Sequence, residues 1–369
     1  MSCNNSINIF LLGLVSGMTS DIRGRSIDQQ QLMTFAYAFS VTIMIVFGIM
    51  SNIFSIDTLR QREVRSSTVG LYLIVYSCCS IFGLTMVECR LIRMLNSFSY
   101  AASFIICNVV SGLASITTRI CLWMNGFIAI QRSLQSFEAN HWINKIRSRS
   151  FAIKHIFIVI ISIFFMHIHE LIYRVSVSDP LLQGNYICQI KYPSSLLTMN
   201  TIFSFVHLFV PFSLDMFANC LILTLISRRK ATLHQTSHWN QWMRHFRRHR
   251  HLFLAPTLAM ICILPQLTLI MLFSCVDASL KWLLRLNTAV NLIIYIPQAS
   301  TFLLFILPSE TYFRSFKTQS HLGKLIVRCC RLDNRIGPIP TTNDRFLMET
   351  RNRKAAATIE LNQKQKTQN

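Results

Sequence analysis

Charged residues are scarce in this sequence. Only 14% of its 369 residues are Asp, Glu, Lys or Arg, whereas a soluble domain carries roughly 25%. Hydrophobic residues make up 52% of the chain and the mean hydropathy is +0.41. Apolar runs of about 20 residues can cross a bilayer as helices, because a helix satisfies its own backbone hydrogen bonds. The composition therefore argues against a soluble globular protein and predicts a membrane protein.

Several functional motifs are also missing. The sequence contains no glycine-rich phosphate-binding loop, and no period of 20–50 residues repeats in it. The lack of a repeat argues against a solenoid and against an internally duplicated transporter. A Ser/His/Asp arrangement cannot be assembled on one predicted side of the membrane, so we expect no enzyme and no cofactor. His167 and His169 lie on different faces of a helix, so we expect no metal site.

Seven apolar stretches are long enough to span a bilayer. They predict an all-α membrane protein whose fold is a seven-transmembrane helix bundle. The stretches are residues 33–59, 70–89, 104–130, 152–172, 197–226, 252–274 and 284–307.

Acidic residues are few, and the distribution of the basic ones is informative. Fifteen Asp and Glu stand against 36 Lys and Arg, which gives a net charge of +21. The basic residues concentrate in alternate connectors and in the tail, which is not the pattern of a nucleic-acid-binding protein. By the positive-inside rule we expect a multi-pass membrane protein with its amino terminus outside and its carboxyl terminus in the cytoplasm. The expected location is the plasma membrane. Examples from the connectors are Arg60, Arg62, Arg65, Lys145, Arg147, Arg149, Arg228, Arg229 and Lys230.

The twelve cysteines do not indicate a disulfide-stabilised scaffold. Most lie inside apolar stretches, where cysteine packs as a small hydrophobe. Cys107 and Cys188 instead fall on the predicted outer, oxidising side, where a disulfide can persist. Asn4 begins a glycosylation sequon on the same side. The apolar residues 7–17 leave open a cleaved signal peptide as an alternative to an extracellular segment.

The positions of several residues resemble those of the rhodopsin-like (class A) G-protein-coupled receptors. Cys107 precedes Arg132 by 132 − 107 = 25 residues, which is the spacing between the outer cysteine and the inner arginine of the third helix in that family. Asn52 matches the asparagine of the first helix. The helix bends match Pro211 and Pro265, and Pro297 lies close to the seventh-helix motif. The pattern looks closest to divergent invertebrate receptors of the FMRFamide neuropeptide type.

The resemblance implies roles for several of these residues. It implies a disulfide between Cys107 and Cys188, and it makes Arg132 the switch residue that engages a heterotrimeric G protein; arrestin is a further candidate partner. The family triad is acid–arginine–tyrosine, but this chain has Gln131-Arg132-Ser133. Because Gln131 is uncharged, we expect a weaker restraint on the inactive state. The second-helix aspartate is replaced by serine, which leaves sodium modulation open.

The resemblance also bounds the ligand. Ala114 stands where amine receptors carry an aspartate, and the seventh stretch has no lysine for a retinal Schiff base. We expect an extracellular ligand, specifically a peptide, with Glu88, Arg90 and Arg93 at the outer end of the second stretch, together with Glu170, as charged contacts. The alternative for these four residues is ordinary interfacial snorkelling. The deeper pocket candidates are His207, Gln266, Asn291 and Tyr295. The alternative for each of these is a hydrogen bond to a neighbouring helix.

Two charged residues, Arg119 and Asp215, fall inside the predicted spans. Isolated charges at bilayer depth are costly and usually find partners. The helical rise of about 1.5 Å per residue places both at similar heights, so we predict that they pair directly or through water. The alternative is that Arg119 bonds His207, Glu170 or backbone carbonyls while Asp215 is protonated.

The predicted domain organisation has three parts. Residues 1–32 form an extracellular segment, residues 33–318 form the receptor domain with a short amphipathic helix at its end, and residues 319–369 form a disordered cytoplasmic tail. Cys329 and Cys330 in that tail are palmitoylation candidates beside basic residues. The expected function is ligand-driven activation of a G protein. The alternatives are a chemosensory small-molecule receptor with weak G-protein coupling and a membrane transporter.

Overall fold

The computed structural model describes most of the chain between residues 7 and 329. The described residues are 7–8, 14–23, 25–65, 67–95, 99–135, 137, 141–178, 186–234, 239, 243, 250–272, 275–276 and 281–329.

Long helices dominate the described part of the chain. Five of them are long and apolar enough to cross a membrane, and they coincide with the first five predicted spans. In chain order they are α2, Ile27–Leu59; α4, Thr68–Leu95; the helix Tyr100–Gln135; α8, Arg149–Ile172; and α9, Ser194–His234. The third consists of α5, Tyr100–Ile105, a π-helical turn, Ile106–Val110, and α6, Ser111–Gln135. The chain is therefore compatible with an all-α membrane protein, as predicted.

The last two predicted spans are helical but less regular. Residues 252–274 coincide with α10, Arg250–Leu272, which contains the shorter apolar helix Thr257–Leu269. Residues 284–307 coincide with three consecutive pieces. These are α11, Lys281–Ile293; α12, Tyr295–Ala299; and a π-helical turn, Phe302–Ile306.

Large apolar side chains cover the outer faces of these helices. Phe35 and Phe39 on α2, Phe157 on α8 and Phe217 on α9 are each more than half exposed. Water-soluble monomers rarely expose apolar patches of this extent. The same surface is favourable in contact with lipid tails, which supports insertion in a membrane.

The amino-terminal segment is partly built into the bundle. Helix α1, Leu14–Arg23, packs against α11, and its residues Leu14 and Met18 are buried in a core cluster with side chains of α2 and α4. Strand β1, Ile7–Asn8, pairs with β4, Cys275–Val276. A prediction based on local hydrophobic length alone treats residues 1–32 as one outer segment and does not anticipate this packing.

The remaining elements are short. Helices α3, Arg62–Arg65, and α7, His141–Ile146, lie between spans, and strands β2, Arg174–Ser178, and β3, Tyr186–Ile190, form an antiparallel ribbon after α8. Helix α13, Glu310–Thr318, occupies the position of the predicted amphipathic helix.

The chain divides into two compact units at residues 322 and 323. In the first unit, Asp57 Oδ2 accepts hydrogen bonds from Ser320 Oγ at 2.5 Å and from the backbone N–H of Leu322 at 3.0 Å. Helix α14 comprises His321–Cys329. The predicted tail boundary at residue 319 therefore falls within structured chain.

Candidate functional site

A disulfide joins the third span to the β2–β3 ribbon. Cys107 lies in the π-helical turn Ile106–Val110, and its Cα atom is 5.3 Å from that of Cys188 in β3. Arg93 Nη2 in α4 donates a hydrogen bond to the backbone oxygen of Tyr186 at 2.8 Å. These contacts hold the ribbon against two spans. The cysteine pair is the one that the resemblance implied, and we call this end of the bundle the disulfide end.

A cavity of about 160 Å³ opens at the disulfide end. Arg174 and Ile190, the first and last residues of the ribbon, form part of its wall. The cavity is therefore bounded by the segment that the disulfide holds in place. Four predicted pocket residues also lie on its wall: His207, Gln266, Asn291 and Tyr295.

Two predicted pocket residues do not line this cavity. Ala114 is buried in the core cluster that includes Leu14 and Met18 of α1. Glu88 faces α2, where its Oε1 accepts a hydrogen bond from Thr42 Oγ1 at 3.1 Å. Because α1 packs inside the bundle, Ala114 contacts other protein side chains and does not border the cavity.

The wall residues also bond to neighbouring helices. Trp123 Nε1 in the third span donates to His207 Nδ1 in α9 at 2.7 Å. Gln266 Nε2 in α10 donates to Asn291 Oδ1 in α11 at 3.4 Å. The two interpretations drawn from the sequence therefore hold together at these positions, since the same residues line the cavity and tie helices to one another.

A buried ion cluster lies on the same wall. Glu170 Oε1 is 2.7 Å from Arg119 Nη2, and Glu170 Oε2 is 2.9 Å from Arg174 Nη2. His167 Nδ1 lies 3.2 Å from Glu170 Oε1. Glu170 is only 3% exposed. One carboxylate thus connects α8 to the third span and to the first residue of the ribbon.

The predicted pairing of Arg119 with Asp215 is not observed. Arg119 pairs with Glu170, one of the partners that the alternative interpretation offered. Asp215 Oδ2 instead accepts a hydrogen bond from Asn125 Nδ2 at 3.1 Å, and Asp215 Oδ1 accepts one from Asn219 Nδ2 at 3.2 Å. Helical rise fixes the height of a residue but not the direction of its side chain around the helix, and that direction decided the partner here.

The histidines at the end of α8 come closer together than their spacing suggested. Ligand atoms of His167, His169 and Glu170 all lie within 4.8 Å of one another, which is short enough to hold a metal ion. However, His169 Nε2 is bonded to Asn200 Oδ1 at 3.2 Å. The Glu170 oxygens are already paired with two guanidinium groups, whose positive charges oppose a divalent cation. The cluster therefore fits an ion-pair network better than a metal centre.

The opposite end of the third span carries Arg132. Its guanidinium carbon lies 5.3 Å from the centre of the Phe305 ring, which is a cation–π contact. Gln131 is buried, and its side-chain Oε1 has no described hydrogen-bond partner. Ser133 Oγ donates to the backbone oxygen of Ile130 at 2.8 Å. Within the described residues, Arg132 therefore contacts an aromatic ring and forms no salt bridge with an acidic side chain, and the Asp215 carboxylate acts on it only at longer range.

Polar contacts couple α2 to the last helical pieces. Asn52 Nδ2 donates to the backbone oxygen of Gln298 at 2.8 Å. Ser51 Oγ accepts from the backbone N–H of Phe302 at 2.9 Å. That N–H begins the π-helical turn that carries Phe305. The ring that contacts Arg132 is thus positioned by α2.

The predicted proline bends lie within helices. Pro211 is inside α9, and a Cβ atom added to Gly126 of the third span would lie 3.2 Å from the Pro211 backbone oxygen. Glycine therefore permits the close approach of these two helices. Pro265 lies within α10 and Pro297 within α12.

Three predicted modification sites fall at or beyond the limits of the described residues. Asn4 and Cys330 lie outside them, and nothing is described of the Cys329 side chain at the end of α14.

Sequence reasoning missed several residues of the cavity wall. Leu14, Arg174, Tyr192 and Asn200 all line it. Arg174 and Asn200 lie next to apolar segments, so the rarity of polar residues there was a usable signal. No local signal places Leu14 in the bundle, because its burial depends on the packing of α1.

Comparisons with known proteins complete the description of the site. No protein-family model matches this chain, and no curated protein matches its sequence.

Proposed function

We propose that this protein is a receptor of the rhodopsin-like type that responds to an extracellular ligand by activating a heterotrimeric G protein. In this proposal, α10 and the pieces α11, α12 and Phe302–Ile306 serve as the sixth and seventh spans. The disulfide end faces outward and the Arg132 end faces the cytoplasm of the cell, in keeping with the positive-inside rule.

The proposal rests on a single observation. The third span extends from the cavity wall to Arg132 at the opposite end of the bundle. The third span carries Arg119 on the cavity wall and Arg132 at the opposite end. Thirteen residues separate them, which is roughly 20 Å of helix at 1.5 Å per residue. A ligand that binds the two states of this bundle with different affinities would shift their populations and hence the exposure of Arg132.

The size of the cavity keeps a second candidate in consideration. Typical ligand pockets enclose about 300–1,000 Å³, whereas this cavity has about 160 Å³. A peptide would place only one side chain or one terminus inside it and rest its remainder on the ribbon. A small molecule would fit more completely, which favours the chemosensory alternative with weak G-protein coupling.

Ligand-stimulated nucleotide exchange distinguishes the candidates. The receptor would be reconstituted in vesicles with a purified G protein, and exchange would be measured against a panel of peptides and small molecules. Arg132→Ala should abolish stimulated exchange while surface expression and ligand binding are retained. Asn125→Ala is a control in the same span, since the described hydrogen bond of Asn125 goes to Asp215 and not to Arg132. Normal exchange in Arg132→Ala would contradict the proposed role.

A further inference from the structure

The wall of the cavity carries an excess of positive charge. Three arginines line it, Arg90, Arg119 and Arg174, against one carboxylate, that of Glu170. Arginine stays protonated in proteins. Within the described wall, three guanidinium groups therefore face one negative charge.

The excess is concentrated at Arg90. Glu170 is shared between Arg119 and Arg174 through bonds of 2.7 and 2.9 Å. Among the described residues, Arg90 forms no hydrogen bond and no salt bridge, and the Glu170 carboxylate acts on it only at longer range. A cation in a helix bundle that lacks a close counter-ion is costly, and such residues usually mark the path or the site of a ligand.

Further hydrogen-bond donors on the wall also lack partners. Arg174 Nε and the Tyr192 hydroxyl are buried without a hydrogen-bond partner, and so is His207 Nε2. Because Trp123 Nε1 can only donate, His207 Nδ1 must accept its hydrogen bond, so the neutral ring carries its proton on Nε2. Arg174 is 8% exposed and His207 is 2% exposed. The unsatisfied groups are therefore chiefly hydrogen-bond donors, and a hydrogen-bond acceptor in the cavity would satisfy them.

We propose that this cavity binds a carboxylate of the ligand, with Arg90 as its ion-pair partner. Guanidinium and carboxylate groups form paired, charge-assisted hydrogen bonds. The excess positive charge disfavours cationic amines and divalent metal ions. The volume admits a carboxylate with a short apolar chain. The source is a free monocarboxylic acid or the carboxylate of a peptide, and this inference rests on the cavity being the ligand site of the proposed receptor.

Thermal unfolding of the purified protein in lipid nanodiscs tests this inference without a G protein. Sodium propionate would be titrated at constant ionic strength, with propionamide as a neutral isostere and sodium chloride as a second anion. A short peptide with a free carboxyl terminus would be compared with its amidated form. Propionate should raise the unfolding temperature and propionamide should not. A shift produced by the free peptide alone would identify a peptide as the source of the carboxylate.

Two substitutions of single arginines make the test specific. Arg90→Gln should raise the concentration that gives a half-maximal shift at least tenfold. Arg60→Gln removes the same charge at an exposed position off the cavity wall, so it should leave that concentration unchanged. If Arg90→Gln does not fold, Arg90→Lys keeps the charge without the paired geometry and should weaken the response by a smaller factor.

An equal shift with chloride or with propionamide would overturn the carboxylate assignment, as would an unchanged response in the foldable Arg90 variant. Failure of nucleotide exchange with an intact propionate response would reject the G-protein function alone. Exchange stimulated by a ligand without a carboxylate, with no propionate response, would reject this inference alone.

Discussion

Glu170 is the residue on which the buried ion cluster depends. Glu170→Gln would leave Arg119 and Arg174 without a counter-charge. Removing one partner of a buried ion pair costs about 3–5 kcal/mol, because an uncompensated charge remains. We expect a large loss of folded protein, measured as monodisperse protein after solubilisation and as a lower unfolding temperature.

Glu88→Gln is the matched control for that experiment. Glu88 is also a carboxylate within a span, but its described hydrogen bond comes from Thr42 and it has no described salt bridge. The loss of folded protein in Glu88→Gln should therefore be much smaller than in Glu170→Gln. Equal losses in the two variants would mean that Glu170 is not the centre of the cluster.

Gln131 governs a second prediction at the scale of single residues. The position next to Arg132 has no charge, and Arg132 rests on the Phe305 ring. Gln131→Asp would supply an ionic partner for Arg132 and should lower nucleotide exchange measured without ligand. Gln131→Asn is the control, because it shortens the side chain in the same way without adding charge. Basal exchange that is equal in the two variants would make the missing acid irrelevant to signalling.

At the scale of elements, helix α1 is an internal part of the bundle. Met18 is fully buried, and a Cβ atom on Gly17 would lie 2.6 Å from Thr288 Oγ1. Arg285 Nε lies 3.0 Å from Asp21 Oδ1, and Tyr37 donates to Asp21 Oδ2 at 2.9 Å. The Arg285 side chain is partly exposed, so its pair adds little. Apolar burial is therefore expected to dominate the docking of α1.

Met18→Ala tests this expectation. Truncation of a buried methionine costs about 2–5 kcal/mol, because contacts are lost and a cavity remains. The unfolding temperature should fall, and α1 should become accessible to protease at lower temperature than in the parent. Ser16→Ala, at a half-buried position on the same helix, should have little effect. A Met18→Ala protein as stable as the Ser16→Ala control would show that α1 is only loosely docked.

The elements differ in how far the sequence predicts them. Hydrophobic length predicts the spans well, because a bilayer demands the same apolar length everywhere along the chain. Helix α1 has only about half that length, and its burial against α11 is a tertiary effect. The seventh predicted span is broken near Ile294 and Ser300, which a continuous apolar run does not reveal. Pro297 lies in that region and offers a partial signal.

The site shows the same limit at finer scale. The cysteine pair was predicted through a family resemblance. That resemblance rests on the spacing of residues along the third span, which can be counted directly in the sequence. The partner of Arg119 depends on the rotation of α6 relative to α8, which one sequence does not encode in any local pattern. The disulfide and the salt bridge with Glu170 together determine the position of ribbon residues such as Arg174.

At the scale of the whole molecule, the number of spans decides the topology. Five helices satisfy the length and hydropathy expected of a span. With an outer amino terminus, the proposed seven-span receptor places residues 179–185 and 277–280 outside. A five-span protein would keep residues 277–280 on the cytoplasmic side, because no helix would return the chain across the bilayer after α9.

Glycosylation scanning separates these topologies. A sequon would be placed in a flexible Gly/Ser insert at 179–185, at 235–238 or at 277–280, in three separate proteins translated with microsomes. We expect modification at the first and third sites and none at the second, because the basic residues around the second favour the cytoplasm. Changing the sequon serine to alanine gives the unmodified size standard for each protein. Modification at 179–185 without modification at 277–280 would reject the sixth span and, with it, the seven-helix receptor.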